Sequence, residues 1–567
     1  MICINKKIMI GVACLMSTFT WGQGSSSQNT LRYEVNPSMV RQHFEGWGVS
    51  LCWWAGHQEG GKDNLRPEYY EAFAHYLVDV CKHYKDEYGI EFKTLAPFNE
   101  SATNYWHANG SQEGCHFDYE SQIRFLQVLE PILRRSGLKM EISAADETSV
   151  GHAIAGLENY VSAGADKFVG QWNTHTYGGS NEEKVRYGEL ARKTGKRLWM
   201  SETGAGGKGI AGNLSLAQRL IDDMRYIQPE AWIDWQYMEE KGDQWCTING
   251  SFADQTYTKV KNYYVRQQCS RFIKQGYDII TTDCRQSLAA INANRDTLVM
   301  VALNESTDAK THLIDLSQFS QRPVGSQIHA YRTSATENLS DASHSVSLDG
   351  KTLVLDLPPQ SITTLVIGLY TIQSIRKAYQ DVHEMIAQMT PNADREWATP
   401  PEYFDLQVVQ NLPATGGHKE NIRMYYGNLP NKDEDGDVYN PYPPHYLRFL
   451  TAKFNFAARE FYEEYLFDED GNVMFIYAIT PDVTIGEMNP YELRLYFDGE
   501  RLLRFMAKRY DGQPGDLDIA TLKKSTFKEE YTGTAIPEKF SDETDRLKQR
   551  AQKYLSMFKG IDGNTNL

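Results

Sequence analysis

"VGQWNTHTYGGSNEEKVRYGELARKTGKRLWMSETG", residues 169–204, reads as strand, helix, strand. Two runs rich in branched and aromatic residues flank a charged stretch with helical spacing, and each run ends in polar groups. Such a segment is a parallel βα unit. The pattern continues outward in both directions. "FKTLAPFNES" (92–101) opens with a strand near 92–98 that precedes a helix near 118–136, and "KMEISAADE" (139–147) precedes a helix near 152–164. The helix of the quoted segment lies near 181–195. Its second strand precedes another helix near 212–227, and "AWIDWQYME" (231–239) closes the series. Upstream, "LRYEVNP" (31–37) and "HFEGWGVSLCWW" (43–54) read as strands, followed by a helix from Pro67 to a stop at Gly89.

Functional-looking residues crowd the carboxyl ends of these strands: Asn99 and Glu100, Asp146 and Glu147, His175 and Tyr177, Glu202, Trp235 and Gln236. A β/α barrel builds its site on that face. An open doubly wound sheet also binds there, but no glycine-rich phosphate loop follows the first strand. From about 276 to 369 the texture changes to short β runs with turns such as Asp349-Gly350, which predicts a β-sandwich. Residues 371–567 read as a separate α+β domain. It opens on the helix "TIQSIRKAYQDVHEMIAQM", continues through hairpins turning at Asp470-Gly471 and Asp498-Gly499, and ends in a charged helix near 541–558.

Composition narrows the function. The 567 residues carry a formal net charge of −16 with no basic tract, which argues against nucleic acid and anionic membrane as partners. The 34 Tyr and 11 Trp suit sugar-binding surfaces and packed β structure alike. The start reads as a secretory signal over 1–22: Lys6 and Lys7 precede an apolar stretch, with Thr20 and Gly22 ahead of cleavage before Gln23. The expected location is therefore exported, whether periplasmic, cell-surface or secreted; a lipid anchor at Cys14 is the less favoured variant, and no transmembrane span is expected. Cys52, Cys81, Cys115, Cys246, Cys269 and Cys284 remain, irregularly spaced and without a CxxC, so zinc is not expected. "NKDEDGDVYN" (431–440) resembles a calcium loop, but the twelfth position counted from Asp433 is Pro444 rather than Glu, so a solvated turn is expected.

Two carboxylic acids facing each other suffice to cleave a glycosidic bond, one as nucleophile and one as proton donor. Glu100 and Glu202 end their strands in positions to do so. Trp53, Trp54, Trp106, Trp235 and Trp245 offer faces for sugar rings. "FEGWGVSLCWWA" (44–55), "TLAPFNESATNYWHANGSQEGCHF" (94–117), "WNTHTYG" (172–178), "LWMSETG" (198–204) and "AWIDWQYMEE" (231–240) together resemble glycoside hydrolase family 30, in its endo-β-1,6-galactanase branch, over about 31–368. "KNYYVRQQCSRFIKQGY" (261–277) resembles that family's crossing from barrel to side sandwich. The resemblance implies a TIM-type (β/α) barrel over 31–260, whose first strands also enter the sandwich, and a β-sandwich over 261–369. It also implies a retaining mechanism with Glu100 as acid/base and Glu202 as nucleophile, and no metal or organic cofactor. Asn99 would bond the sugar 2-hydroxyl, His175 and Tyr177 would position substrate and nucleophile, and Trp54, Trp235 and Gln236 would line the first sugar subsite.

The chain departs from that pattern in one interval. About 45 residues separate Trp54 from Asn99, where three strand–helix units need roughly 100. The expected barrel is therefore incomplete, with about six strands, lacking the second and third together with a family arginine near the nucleophile. Such a gap predicts two unpaired edges and exposed apolar faces. Ser101 stands where the family usually has Pro. The expected function is cleavage of β-1,6-galactan or a similar β-linked glycan, β-1,6-glucan or β-glucosides included. The alternative is a catalytically impaired relative acting as a carbohydrate-binding or interaction protein.

Overall fold

The computed structural model describes residues 29–49, 63–106, 114–204, 207–240, 245–388, 402–429, 445–481, 489–512 and 519–565. The leader, Cys52, Trp53, Trp54 and the 431–440 loop lie outside the described residues.

The first strand, β1 (Thr30–His43), is a sandwich strand. It pairs in parallel with Lys310–Asp315 and antiparallel with Asp278–Thr282, so one strand serves both layers of a ten-stranded array. The barrel-type sheet starts only with β2 (Gly46–Val49). It continues with β3 (Thr94–Leu95), β4 (Glu141–Ser149), β5 (Val169–Gly178), β6 (Arg197–Thr203) and β7 (Ala231–Asp234). These six strands are parallel throughout, in the order β2-β7-β6-β5-β4-β3. The helices between them are α1 (Tyr70–Tyr88), α2 (Tyr119–Arg135), α3 (Val150–Ser162), α4 (Asn181–Lys193) and α5 (Gly209–Tyr226).

Local chemistry explains these elements. β5 is buried along nearly its whole length, as a parallel strand covered on both faces must be. α4 starts on a reciprocal cap: Ser180 Oγ accepts from Glu183 N at 3.2 Å, and the Glu183 carboxylate accepts from Ser180 N at 2.8 Å. Phe125, Leu129, Tyr160, Trp172 and Tyr187 form the core between the helices and the sheet. A second core joins Met200, Leu214, Ile221 and Trp232 to Ile279, Leu288 and Val299, so barrel and sandwich share buried surface.

Among the described residues, β2 and β3 are the unpaired edges of the sheet. The sheet nevertheless curls enough to bring them near each other. Lys93, just ahead of β3, forms an ion pair of 2.7 Å with Glu45, just ahead of β2. Trp199 from the middle of the sheet donates its Nε1–H to the same Glu45 at 2.8 Å, and Lys93 lies over its ring at 5.5 Å. α1, the helix between the edges, packs on α2 with Tyr70, Ala74 and Val78. Its other face leaves Tyr76 62% and Tyr88 65% exposed.

After β7 a small sheet of β8 (Met238–Glu240), β9 (Ile248–Ser251) and β10 (Thr256–Lys259) leans over the barrel mouth, and α6 (Lys261–Ser270) leads to the sandwich. Arg266 on α6 ties this crossing down, with an ion pair of 2.7 Å to buried Asp234 and its guanidinium 4.4 Å over Trp232.

The C-terminal domain begins with α7 (Ile372–Ala387), a helix, as the sequence predicts. An eight-stranded antiparallel sheet follows, each strand beside its sequence neighbour, from Tyr403 to Gly533. α9 (Ser541–Thr565) closes the chain. The sheet is covered on both faces. α9 buries Leu547, Ala551 and Tyr554 against one, while α7 and α8 (Ile519–Lys523) bury Ile375, Val382 and Leu522 against the other. Gly471 lies in the turn between Phe467 and Val473 at φ +84°. The second hairpin turn is shifted by one residue from the expected pair: Asp498 still pairs with Arg501, so Gly499-Glu500 make the turn. Arg322 of the sandwich reaches Asp498 at 2.8 Å and Asp468 at 3.2 Å, which docks these turns on the sandwich. The described cysteines, Cys81, Cys115, Cys246, Cys269 and Cys284, are free thiols. No helix among the described residues is long and apolar enough to cross a membrane.

Candidate active site

The ends of five adjacent strands, β3 to β7, build the site. β5 and β6 are in register with His175 opposite Glu202. Glu100 follows β3, held by its backbone N–H donating to Asp146 O at 2.7 Å. Its own carbonyl accepts from Thr103 Oγ1 at 2.6 Å and Trp106 Nε1 at 3.0 Å. Trp235 follows β7 and donates its N–H to Thr203 O at 2.8 Å. That crossing explains the glycine of "SETG": a Cβ on Gly204 would lie 2.2 Å from Trp235 O.

Carboxylate oxygens of Glu100 and Glu202 and a ring nitrogen of His175 all lie within 4.8 Å of one another. His175 Nδ1 is 2.9 Å from Glu100 Oε1 and 3.6 Å from Glu202 Oε1; Nε2 is 3.9 Å from Asp146 Oδ1. Tyr177 donates to Glu202 Oε1 at 3.0 Å. Tyr105 donates to Glu100 Oε2 and sits 2.8 Å from Thr148 Oγ1. Above these groups opens a cleft of about 390 Å³. Asn99, Glu100, Tyr177, Glu202, Trp235 and Gln236 line it.

The structure thus brings together every described residue of the expected set, with His175 beneath the cleft floor rather than on its wall. Trp54 lies outside the described residues. Trp106 also lines the cleft but is only 4% exposed, its Nε1–H donating to the Glu100 carbonyl. Trp245 is 37% exposed on the cleft, 6.2 Å from the Tyr177 ring. Ser101, in the position of the family proline, is buried and accepts from Gln122 Nε2 at 3.2 Å. Tyr105, Thr148 and Glu239 also line the cleft and were not singled out from the sequence. A tyrosine five residues beyond a catalytic-type glutamate is the one signal that could have found Tyr105.

The electrostatics follow from one cation among several acids. Burial works against a charged imidazole at His175, but Glu202, Glu100 and Asp146 outweigh it and push its pKa up to about 9. Burial also raises Glu100, yet its hydrogen bond to the His175 cation and the Tyr105 hydroxyl bring the net direction down. Glu202 moves up, through burial and through the charges of Glu100 and Asp146. The proton therefore rests on His175, between the two carboxylates, and not on Glu100 as the assigned roles alone would suggest. Among the described residues His175 is the positive partner of Glu202, and no guanidinium bridges to that carboxylate. Glu100, His175 and Glu202 are also the three side chains among the described residues that could converge on a metal ion.

The sequence model of O-Glycosyl hydrolase family 30 matches residues 35–170. An endo-beta-1,6-galactanase of Hypocrea rufa is 31% identical over 309 residues, 53% of this chain and 62% of the relative. An exo-beta-1,6-galactobiohydrolase of Bifidobacterium longum subsp. longum is 22% identical over 422 residues, covering 55% of this chain and 27% of the relative. The chain thus spans less than two thirds of the length of either relative. A glycoside hydrolase family 30 subfamily 8 xylanase from Clostridium acetobutylicum superposes with a TM-score of 0.49 at 19% identity, over 59% of this chain and 99% of that one. The strand-end motifs and the paired glutamates agree with the match of residues 35–170 to O-glycosyl hydrolase family 30, to which this part of the chain is similar.

Proposed function

We propose that this protein is an exported retaining glycoside hydrolase acting on β-1,6-linked galactan or a similar β-linked glycan. The observation that carries this reading is the approach of Glu100 and Glu202 to within 4.8 Å across an open cleft. Retaining glycosidases hold their carboxyl groups roughly 5 Å apart, whereas inverting ones need room for a water between them. The choice of substrate leans on the names of the two curated relatives, both of which act on β-1,6-linked galactose.

In the first step a Glu202 oxygen attacks the anomeric carbon while the glycosidic C–O bond breaks. The leaving oxygen takes a proton from Glu100. That proton comes from His175 Nδ1, 2.9 Å away. When sugar displaces water from the cleft, two ionised glutamates beside one imidazolium become neutral imidazole, protonated Glu100 and ionised Glu202. Total charge is unchanged, and the proton stands on Glu100, where the leaving oxygen needs it. In the second step Glu100 takes a proton from water, the water oxygen bonds to the anomeric carbon, and the Glu202 ester bond breaks. Tyr177 keeps Glu202 aimed, and its phenol stays protonated because burial and the adjacent Glu202 raise its pKa. Asn99 lies on the cleft wall beside Glu100, where a sugar 2-hydroxyl would meet it.

Release of reducing ends from β-1,6-galactan tests the reading, with the product anomer followed by NMR. Retention of configuration is expected, and Glu202→Gln should abolish turnover. Binding of galactan without cleavage would replace this reading with that of a carbohydrate-binding relative.

A further inference from the structure

Two residues of the site stand in a backbone conformation that side-chain-bearing residues seldom adopt. Glu100 has φ +50° and Asp146 has φ +56°. They are joined: the Glu100 N–H donates to the Asp146 carbonyl at 2.7 Å. The side chain of Asp146 reaches the other way. Its Oδ1 accepts from Ser201 Oγ at 2.5 Å, and Ser201 is the residue before Glu202. Its Oδ2 accepts from Asn173 Nδ2 at 3.1 Å, two residues before His175. Asp146 is 5% exposed and does not line the cleft. Its neighbour Glu147 makes a narrower set of bonds, to Ala102 N at 3.2 Å and Gln122 Nε2 at 3.1 Å, both on the Glu100 side.

We propose that Asp146 is a positioning residue that sets the separation of Glu100 and Glu202. Its main chain fixes the Glu100 backbone, and its carboxylate fixes the residue that carries Glu202, so one rigid unit spans both halves of the reacting pair. The inference rests on the functional reading above. Both bonds to the side chain arrive from donors, Ser201 O–H and Asn173 N–H. An ionised carboxylate accepts both, whereas an amide of the same shape must turn its own N–H₂ toward one of them. Asn173 cannot simply flip to relieve this, because its Oδ1 already accepts from Gln171 Nε2 at 2.8 Å.

Asp146→Asn is the test. The expected result is a loss of about 100-fold in kcat with KM little changed, the signature of a displaced catalytic group. The melting temperature should stay within a few degrees of the wild type. Ser201→Ala should lose less, about 10-fold, and the double variant should be no worse than Asp146→Asn alone, because both act through the same bond. An unchanged kcat in Asp146→Asn, or single losses that multiply in the double variant, overturns the proposal. A second measurement is independent of turnover. In crystal structures of the two proteins, the distance between the Glu100 and Glu202 carboxylates should differ by about 1 Å. If the wild type cleaves no β-glycan, the functional reading fails by itself, and this distance alone decides the role of Asp146; an unchanged distance rejects it.

Discussion

The barrel mouth and the C-terminal sheet both bury carboxylates, and they treat them in opposite ways. In the C-terminal domain the acids on the sheet are matched with bases. Glu463 meets Arg546 and Arg550, each at 2.8 Å, and Glu420 meets Arg550 at 2.6 Å. Glu464 meets Lys523 at 2.5 Å and, despite its burial, is held down to about 2 by His383 and Lys523. Such acids stay ionised and hold structure. At the barrel mouth Glu100, Asp146, Glu147 and Glu202 crowd round one imidazole. Burial there raises Asp146 and Glu202 and pushes Glu147 up to about 7. Under-compensated acids, held above their ordinary range by burial and like charge, mark a candidate reaction site. Fully matched ones mark a structural network.

That contrast can be broken by experiment. The largest effect is expected at Glu202→Gln, which should lower kcat by roughly 10⁴-fold while the melting temperature holds or rises, since it removes an under-compensated charge. A loss of stability instead would put Glu202 in the structural class. Arg550→Met should do the reverse. It leaves Glu463 and Glu420 without this partner and should cost about 3–5 kcal/mol of unfolding free energy in urea titrations. A change near zero would show that the C-terminal network is no more matched than the cleft.

Smaller effects come from pH. The folded-state pKa of His175, about 9, lies above the ordinary 6.5. The stability it contributes is complete below pH 6.5 and is lost as pH rises through about 9. Thermal melts across that range should decline, and less steeply in His175→Gln. The smallest effect concerns Glu147, raised from 4.5 to about 7. Its contribution is present below pH 4.5 and is lost as pH rises through about 7. Glu147→Gln should flatten that part of the melting profile; an unaltered slope would mean that Glu147 is ionised in the fold throughout.

Much of the site was legible because parallel strands place what ends them at one face. Asn99-Glu100, His175, Tyr177, Ser201-Glu202 and Trp235-Gln236 each follow a run of strand-like residues, and the structure gathers them at one mouth. Among the described residues the parallel sheet has six strands, the number expected from the sequence, while part of the short interval before Asn99 lies outside the described residues. What sequence could not carry was the third dimension of the turns. Asp146 stood out only as one polar strand end among several; its two-sided grip depends on a left-handed backbone angle and on a neighbour 55 residues away. Trp106 and Trp245 both line the cleft, yet one is 4% and the other 37% exposed, a difference that the sequence around each indole does not show. In the C-terminal domain the hairpins announced themselves through Asp-Gly pairs, but covering of the sheet on both faces depends on where α7 and α9 fall after the chain has doubled back.

The ion pair between Lys93 and Glu45 has a consequence for how the molecule breathes. Lys93 is half exposed, so salt weakens the pair, and the edges it joins share no ladder of backbone hydrogen bonds. Among the described residues α1 packs chiefly on α2, and β3 contributes two residues to the sheet. The α1–β3 edge is therefore expected to open at lower free energy than β5 and β6. Amide hydrogens between Asp63 and Leu95 should exchange first, faster as ionic strength rises. Heat or salt should then loosen α1 and β3 before it melts the protein, while Glu100 stays tied to Asp146 and His175.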